Sequence, residues 1–183
     1  MEHRDEQIAQ EVRTLIAEIL RISVQDVRMD AVLGEELGAE SLDFIEIQFR
    51  LEDHFKIQFQ PGGILETLSD VFGTDALVQD GRLTNMGAAI LRQRMPEVSP
   101  AKIVAGTSPT IEAWYTPSTW VRAVQEVLAA RPTVCPHCGS DRVQPVGASV
   151  LVCDACHSDL ACPTQGEVVT AWATKTAQHL DPS

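Results

Sequence analysis

LGAESLDFIE, residues 37–46, is the stretch that decides how the first third of this 183-residue chain folds. Gly38 permits a sharp corner, and Glu40 or Ser41 can cap a helix that starts there. Asp43 then lies in the first turn, where the helix dipole favours negative charge. We predict a helix from about Ser41 to Lys56, stopped by the Pro-Gly-Gly at 61–63. Its predicted core-facing positions are Leu42, Ile45, Leu51 and Phe55.

The residues before this helix predict a second amphipathic helix. Apolar side chains recur at helical spacing from Ile8 to Ile19, with charged residues between them. Residues 22–40 read as a long loop, punctuated by Gly34 and Gly38. Hydrophobic residues make up 44% of the chain and aromatic residues only 5%, which favours helices packed through aliphatic side chains.

The stretch 37–46 resembles the phosphopantetheine attachment motif of the acyl carrier protein family, usually Gly-x-Asp-Ser-Leu-Asp followed by apolar residues and Glu. Here Glu40 replaces the usual Asp. The likeness extends through the loop at 22–37 and the helix ending at 51–55, and residues 115–121 resemble the family's entry into its last helix. The resemblance implies an acyl-carrier-like helical bundle in which Ser41 carries a covalent 4′-phosphopantetheine arm. It implies as partners a phosphopantetheinyl transferase and enzymes that load and process acyl groups.

The position of Ser41 suits the chemistry that the resemblance implies. A helix N-terminus offers unpaired N–H groups and a positive dipole end, and both favour an attached phosphate. A lone serine before an amphipathic helix is more often only a cap. The surrounding motif reverses that expectation, so we predict that Ser41 is modified.

Charge is concentrated around the same helix. The chain carries a net charge of −12, and residues 1–60 hold 14 acidic and 6 basic side chains, a net of −8. Such acidity disfavours binding to nucleic acid or to anionic lipid and suits basic protein partners. In the family the acidic helix face docks onto partners, so five residues are predicted to dock: Glu40, Asp43, Glu46, Glu52 and Asp53. The alternative is an ordinary solvated helix face.

Residues 64–113 form about fifty residues more than a family member needs, and we interpret them as an insertion that adds helices. A further helix is predicted from about Pro117 to Ala130, with Trp114 and Trp120 as core anchors. We therefore assign residues 1–130 to an acyl carrier helical domain and residues 131–183 to a small β zinc-ribbon domain with a C-terminal tail. A β-type run is predicted at 149–153.

Four cysteines occur as two Cys-x-x-Cys pairs: Cys135, Cys138, Cys153 and Cys156. Pairs at this separation fit a tetrahedral four-thiolate Zn²⁺ site, and the first pair resembles the first knuckle of zinc ribbons. Four thiolates leave no open position, so a structural role is expected rather than catalysis. Cys162 is expected to be a spare buried thiol. Residues 153–157 also match the Cys-x-x-Cys-His pattern of c-type haem attachment, but that role would leave Cys135 and Cys138 unused. A redox role for the dithiols is disfavoured because the sequence lacks the strand–helix context in which such dithiols occur.

These observations predict a specialised acyl carrier, not an enzyme, that tethers acyl intermediates as thioesters in a fatty-acid, polyketide-like or lipid-modifying pathway. Two alternatives stay open: a peptidyl or aminoacyl carrier, and a zinc-dependent interaction protein with an unmodified carrier domain. The charged start of the chain lacks an apolar signal core, and no run of 18 apolar residues occurs, so we expect a cytoplasmic protein without a membrane span.

Overall fold

The computed structural model describes residues 2–60, 63–108, 110, 114–148 and 150–180. This part of the chain is mainly helical and carries two small antiparallel sheets. The helices are α1 (Glu2–Leu20), α2 (Leu33–Leu37), α3 (Ser41–Phe55), α4 (Gly63–Phe72), α5 (Thr74–Leu77), α6 (Asn85–Arg94), α7 (Pro117–Ala130) and α8 (Gln165–Leu180). The strands are β1 (Val78–Gln79), β2 (Arg82–Leu83), β3 (Val143–Pro145), β4 (Val150–Cys153) and β5 (Asp159–Ala161). The predicted mainly α fold with a small C-terminal β module is confirmed.

The main core is built by α1, α3 and α7. Helix α1 packs against both other helices, through fully buried side chains such as Val12 and Ile16. From α3 the buried residues are Phe44, Ile47 and Leu51. The predicted placement of Leu42 and Ile45 in this core is wrong, because they are 77% and 64% exposed. The helix has apolar residues on two faces, and the face that contains Phe44, Ile47 and Leu51 packs into the core.

The loop at 22–40 is more ordered than a loop prediction implies. A 3₁₀ turn covers Val24–Asp26, and α2 follows. Backbone hydrogen bonds join this segment to the start of α7: Leu33 N–H donates to Tyr115 O at 2.9 Å, and Ser118 N–H donates to Met29 O at 3.0 Å. These bonds hold the approach to α3 in place.

Residues after α3 form α4, α5, the β1–β2 hairpin and α6. Strands β1 and β2 pair antiparallel, with Val78 opposite Leu83. Helix α6 crosses α5 closely at Gly87, where an added Cβ would lie 2.2 Å from the carbonyl oxygen of Leu77. The close approach needs a residue without a side chain. The helices expected in the segment 64–113 are α4, α5 and α6. Pro61 and Gly62 of the predicted stop lie outside the described residues.

The C-terminal part begins with a three-stranded antiparallel sheet in the order β3-β4-β5. Cys153 pairs with Val143, and Leu151 pairs with Leu160. Ser149, the first residue of the predicted β run, lies outside the described residues. The segment predicted as a tail differs from expectation, because most of it is α8, which packs on α4 and α7. Val169 and Ala173 of α8 are fully buried in the main helical core.

Candidate functional site

Ser41 is the first residue of α3, and its side chain is exposed. The approach turns at Gly38, whose φ of 74° lies in the left-handed region that favours glycine. Glu40 is the N-cap residue, and its N–H donates to the Asp43 carboxylate at 2.8 Å. Since Glu40 and Asp43 cap the helix, Ser41 stands inside the first turn, where helix N–H groups favour a phosphate. An exposed hydroxyl at this point fits the attachment of 4′-phosphopantetheine.

The five acidic residues predicted for docking do not form one cluster. Glu40, Asp43 and Glu46 surround Ser41 within the first turn and a half of α3, whereas Glu52 and Asp53 lie about 16–18 Å from Ser41 along the helix axis. Glu52 accepts the Phe59 N–H at 2.7 Å. Asp53 pairs with Lys56 at 2.9 Å, which lowers the pKa of Asp53. The second group therefore stabilises the end of the helix.

Three exposed apolar side chains follow Ser41 along α3, and two of them, Leu42 and Ile45, were predicted to face the core. Leu42, Ile45 and Phe49 are 77%, 64% and 67% exposed. Their spacing of three and four residues places them on one face of the helix. We call this set the α3 stripe. The sequence carried a signal for it, because α3 has more apolar positions than one buried face can hold, and one set had to face solvent.

The four paired cysteines come together as predicted from their spacing. Their sulfur atoms all lie within 4.8 Å of one another. The Sγ atoms of Cys135 and Cys156 are 3.7 Å apart, and those of Cys138 and Cys153 are 3.6 Å apart. Two sulfurs bound tetrahedrally at ~2.3 Å to one zinc ion would lie about 3.8 Å apart. The donor set and its spacing therefore fit one tetrahedral Zn²⁺.

The surroundings of the cysteines fit a structural metal site. The small core of this module contains Leu151 and Leu160 beside three buried cysteines. Two leucines contribute only about 3–6 kcal/mol of burial, so a metal would have to supply much of the folding energy. Hydrogen bonds with the side chain and backbone of Ser158 lower the pKa of Cys156 to about 6. A hydrogen bond with the Ser140 backbone lowers the pKa of Cys138, but hydrogen bonds with the neighbouring thiols outweigh it and raise that pKa to about 12.

Arg131 fixes the cysteine module to the end of α3. Its Nη2 donates to the backbone oxygens of Phe55, at 2.9 Å, and Lys56, and its Nε donates to Cys162 Sγ at 3.3 Å. A second link is the hydrogen bond from Gln165 N–H to Gln58 O at 2.8 Å. The predicted spare thiol, Cys162, is buried and lies outside the four-sulfur cluster. The module is thus packed on the helical part of the chain.

Comparison with known proteins identifies the helical part. The family described as "Phosphopantetheine attachment site" matches residues 10–71. This match includes α3 and ends in α4, so it extends into the segment predicted as an insertion. No solved structure matches this chain significantly.

Two curated relatives are acyl carrier proteins. The one from Campylobacter hominis is 36% identical over 52 residues, which cover 28% of this chain and 66% of that protein. The one from Guillardia theta is 33% identical over 67 residues, which cover 37% of this chain and 82% of that protein. The matched length, the exposed serine at the start of α3 and the motif around it agree: this chain belongs to the acyl carrier protein family.

Proposed function

We propose that this protein carries acyl intermediates on a 4′-phosphopantetheine arm attached to Ser41, in a fatty-acid, polyketide-like or lipid-modifying pathway. The observation that carries the proposal is the exposed hydroxyl of Ser41 at the first residue of α3, within the residues matched by the family. The arm supplies a terminal thiol that holds an acyl group as a thioester. The chain itself presents the serine, and its proposed role is that of a carrier, not a catalyst.

Attachment requires coenzyme A and a phosphopantetheinyl transferase as co-reactants. The Ser41 Oγ forms a bond to the phosphorus that carries the pantetheine arm of coenzyme A. The bond between that phosphorus and the rest of the pyrophosphate breaks, and adenosine 3′,5′-bisphosphate leaves. The serine proton is released in the same reaction. The exposed hydroxyl gives a transferase access to the nucleophile.

The α3 stripe and Glu46 are the surface that we propose partner enzymes contact. An exposed apolar stripe beside the modified serine can bury area on a partner, while the surrounding carboxylates steer encounter with a basic surface. Glu46 is exposed, whereas Glu52 is engaged with the Phe59 backbone. We expect Phe49→Ser to slow loading by a transferase. Val104→Ser, at another exposed apolar residue far along the chain, is the matched control.

The four cysteines are proposed to hold one structural Zn²⁺. The module that they close is joined through Arg131 to the backbone at the end of α3. A metal there would stabilise the carrier helix at the end opposite Ser41. No step of thioester chemistry is assigned to it.

Intact-protein mass spectrometry tests the proposal. The purified chain is incubated with coenzyme A and a phosphopantetheinyl transferase of broad specificity, alongside Ser41→Ala and Ser108→Ala. The wild type and Ser108→Ala, a substitution at an exposed serine elsewhere, should gain the mass of one phosphopantetheine, and Ser41→Ala should gain none. Absence of any gain with several transferases would favour an interaction protein with an unmodified carrier domain.

A further inference from the structure

The cysteine module, residues 131–164, interrupts the helical part of the chain. It lies between α7, which ends at Ala130, and α8, which starts at Gln165, and it contains all five cysteines. After the module the chain returns to the main core, where Val169 and Ala173 of α8 are fully buried. Helix α8 packs there on α4, most of which lies within the residues matched by the family. The last helix thus belongs to the carrier core but is connected to it through the module.

The start of α8 is seated closely on the segment that follows α3. Gln165 N–H donates to Gln58 O at 2.8 Å. At Gly166 an added Cβ would lie 2.2 Å from the Gln60 side-chain oxygen, so the two segments meet without room for another side chain. A shift of the module would therefore be transmitted directly to the segment between α3 and α4.

The sequence of α8 does not favour a helix by itself. Five of its 16 residues are β-branched valine or threonine, and its second residue is glycine. These residue types have low helix propensity, and isolated helices near this length are marginal in water even when they are rich in alanine. If the module unfolded, a long flexible segment would have to close before α8 could dock, which costs further entropy. We therefore expect α8 to stay docked on α4 only while the module is folded.

Two of the four sulfurs in the module are open to solvent. Cys138 and Cys156 are exposed, whereas Cys135 and Cys153 are buried. Each exposed sulfur has a buried one beside it, since the Cys156–Cys135 and Cys138–Cys153 distances are 3.7 and 3.6 Å. Cysteines that oxidise reversibly are accessible thiolates with a second thiol close by, and binding to a metal keeps a thiol deprotonated. The cluster meets these requirements.

We infer that the four cysteines are a site of reversible oxidation by a small two-electron oxidant such as hydrogen peroxide, and that their oxidation releases α8 from α4. The inference rests on the Zn²⁺ site proposed above, and it does not depend on the loading of Ser41. A cluster buried on all sides would be shielded from the oxidant. A module without a returning helix would oxidise without effect on the carrier helices.

Each exposed sulfur reacts in two steps. The thiolate of Cys138 or Cys156 attacks one oxygen of hydrogen peroxide, the O–O bond breaks, hydroxide leaves, and the sulfur becomes a sulfenic acid. The neighbouring thiolate of Cys153 or Cys135 then attacks the sulfenic sulfur, forms the S–S bond and displaces a second hydroxide. Two peroxide molecules thus take four electrons from four thiolates and, with four protons from solvent, become four waters. The two disulfides no longer bind Zn²⁺, because the ligand is the thiolate.

The test follows zinc, free thiols and backbone exchange in the intact zinc-bound protein after addition of about two equivalents of hydrogen peroxide. We expect one zinc per chain to be released to a chromogenic indicator. Thiols that react with N-ethylmaleimide after denaturation should fall from five to one, leaving Cys162. Hydrogen-exchange mass spectrometry should show amides of α8 and α4 exchanging at least about tenfold faster, with α1 unchanged. Dithiothreitol followed by zinc should restore slow exchange.

Two variants isolate the cluster. Cys138→Ser removes one exposed ligand, so α8 should exchange fast before any peroxide is added. Cys162→Ala is the control, because it keeps the four clustered sulfurs and should respond like the wild type but with no thiol left after oxidation. If Cys138→Ser folds poorly, removal of zinc from the wild type by a chelator under reducing conditions gives the same comparison.

The outcomes separate the proposals. A protein that neither contains nor binds zinc overturns the metal site, and the inference falls with it, whereas mass gain at Ser41 is measured independently. Zinc that stays bound in the presence of peroxide overturns the inference alone. Zinc release without faster exchange in α8, or oxidation that dithiothreitol does not reverse, also overturns it.

Discussion

Glu126→Gln is expected to destabilise the fold through the buried arginine that it leaves behind. Arg94 is 4% exposed and binds both oxygens of Glu126. The substitution keeps the shape of the side chain but removes its charge, so Arg94 is left uncompensated in the interior. Removing one partner of a buried ion pair costs about 3–5 kcal/mol. The Glu126 side chain is 29% exposed and Arg122 keeps Glu97 as its partner, so the loss should lie at the lower end of this range. We expect the free energy of unfolding to fall by about 3 kcal/mol, which corresponds to a fall in Tm of about 6–12 °C.

The pH dependence provides a second readout of the same ion pair. Burial raises the pKa of Glu126, but the hydrogen bonds and charges of Arg94 and Arg122 outweigh it and leave this pKa below its ordinary value of 4.5. A carboxyl group with a lowered pKa contributes stability that is present above its unfolded pKa and is lost as pH falls through the folded pKa. The difference in the free energy of unfolding between wild type and Glu126→Gln should therefore be largest at neutral pH, including pH 7, and should shrink below about pH 4.5.

Urea unfolding followed by circular dichroism, at pH 7 and at several lower pH values, measures both effects. Glu35→Gln is the matched control, because Glu35 pairs with Lys102 on the surface, where an ion pair contributes at most about 1 kcal/mol. If Glu126→Gln is no less stable than Glu35→Gln at pH 7, the assignment of a buried ion pair between Arg94 and Glu126 is refuted.

Two other predictions concern packing and metal. Gly87→Ala should lower stability by about 1–3 kcal/mol in thermal unfolding, because its Cβ meets the Leu77 backbone oxygen at 2.2 Å, whereas Gly147→Ala, in open space, should change it by less than about 0.5 kcal/mol. Equal effects of the two would contradict the close crossing of α5 and α6. Metal analysis should find one zinc per chain in Cys162→Ala and little in Cys153→Ala, and the reverse result would overturn the four-sulfur assignment.

Features that depend on neighbouring residues in the chain could be predicted from the sequence. The start of α3 follows from Gly38 and from the acids that cap the helix, and the structure begins that helix at Ser41. Helix α7 spans the predicted Pro117–Ala130, with Thr116 as its cap residue and Pro117 in its first turn. The spacing of the cysteine pairs anticipated a cluster of four sulfurs, because two tight turns joined by a hairpin bring such pairs together.

Features set by tertiary packing could not be predicted in this way. Helix α3 has two apolar stripes, and only packing on α1 decides that Ile47 is buried while Ile45 faces solvent. The return of α8 onto α4 depends on contacts between residues a hundred positions apart, such as Val169 with the helical core. A cavity lined by Gln48, Ile64 and Trp120 could not be predicted for the same reason, since these residues come from three different helices.

Peptide mass mapping of the protein purified from its native cells tests the central assignment most directly. Trypsin cleaves after Arg28 and Arg50, and in the peptide between them Ser41 is the only residue with a hydroxyl side chain. We predict that this peptide carries the mass of a 4′-phosphopantetheine arm, with or without an acyl group. An unmodified 29–50 peptide, or an arm found on another peptide, would contradict the account.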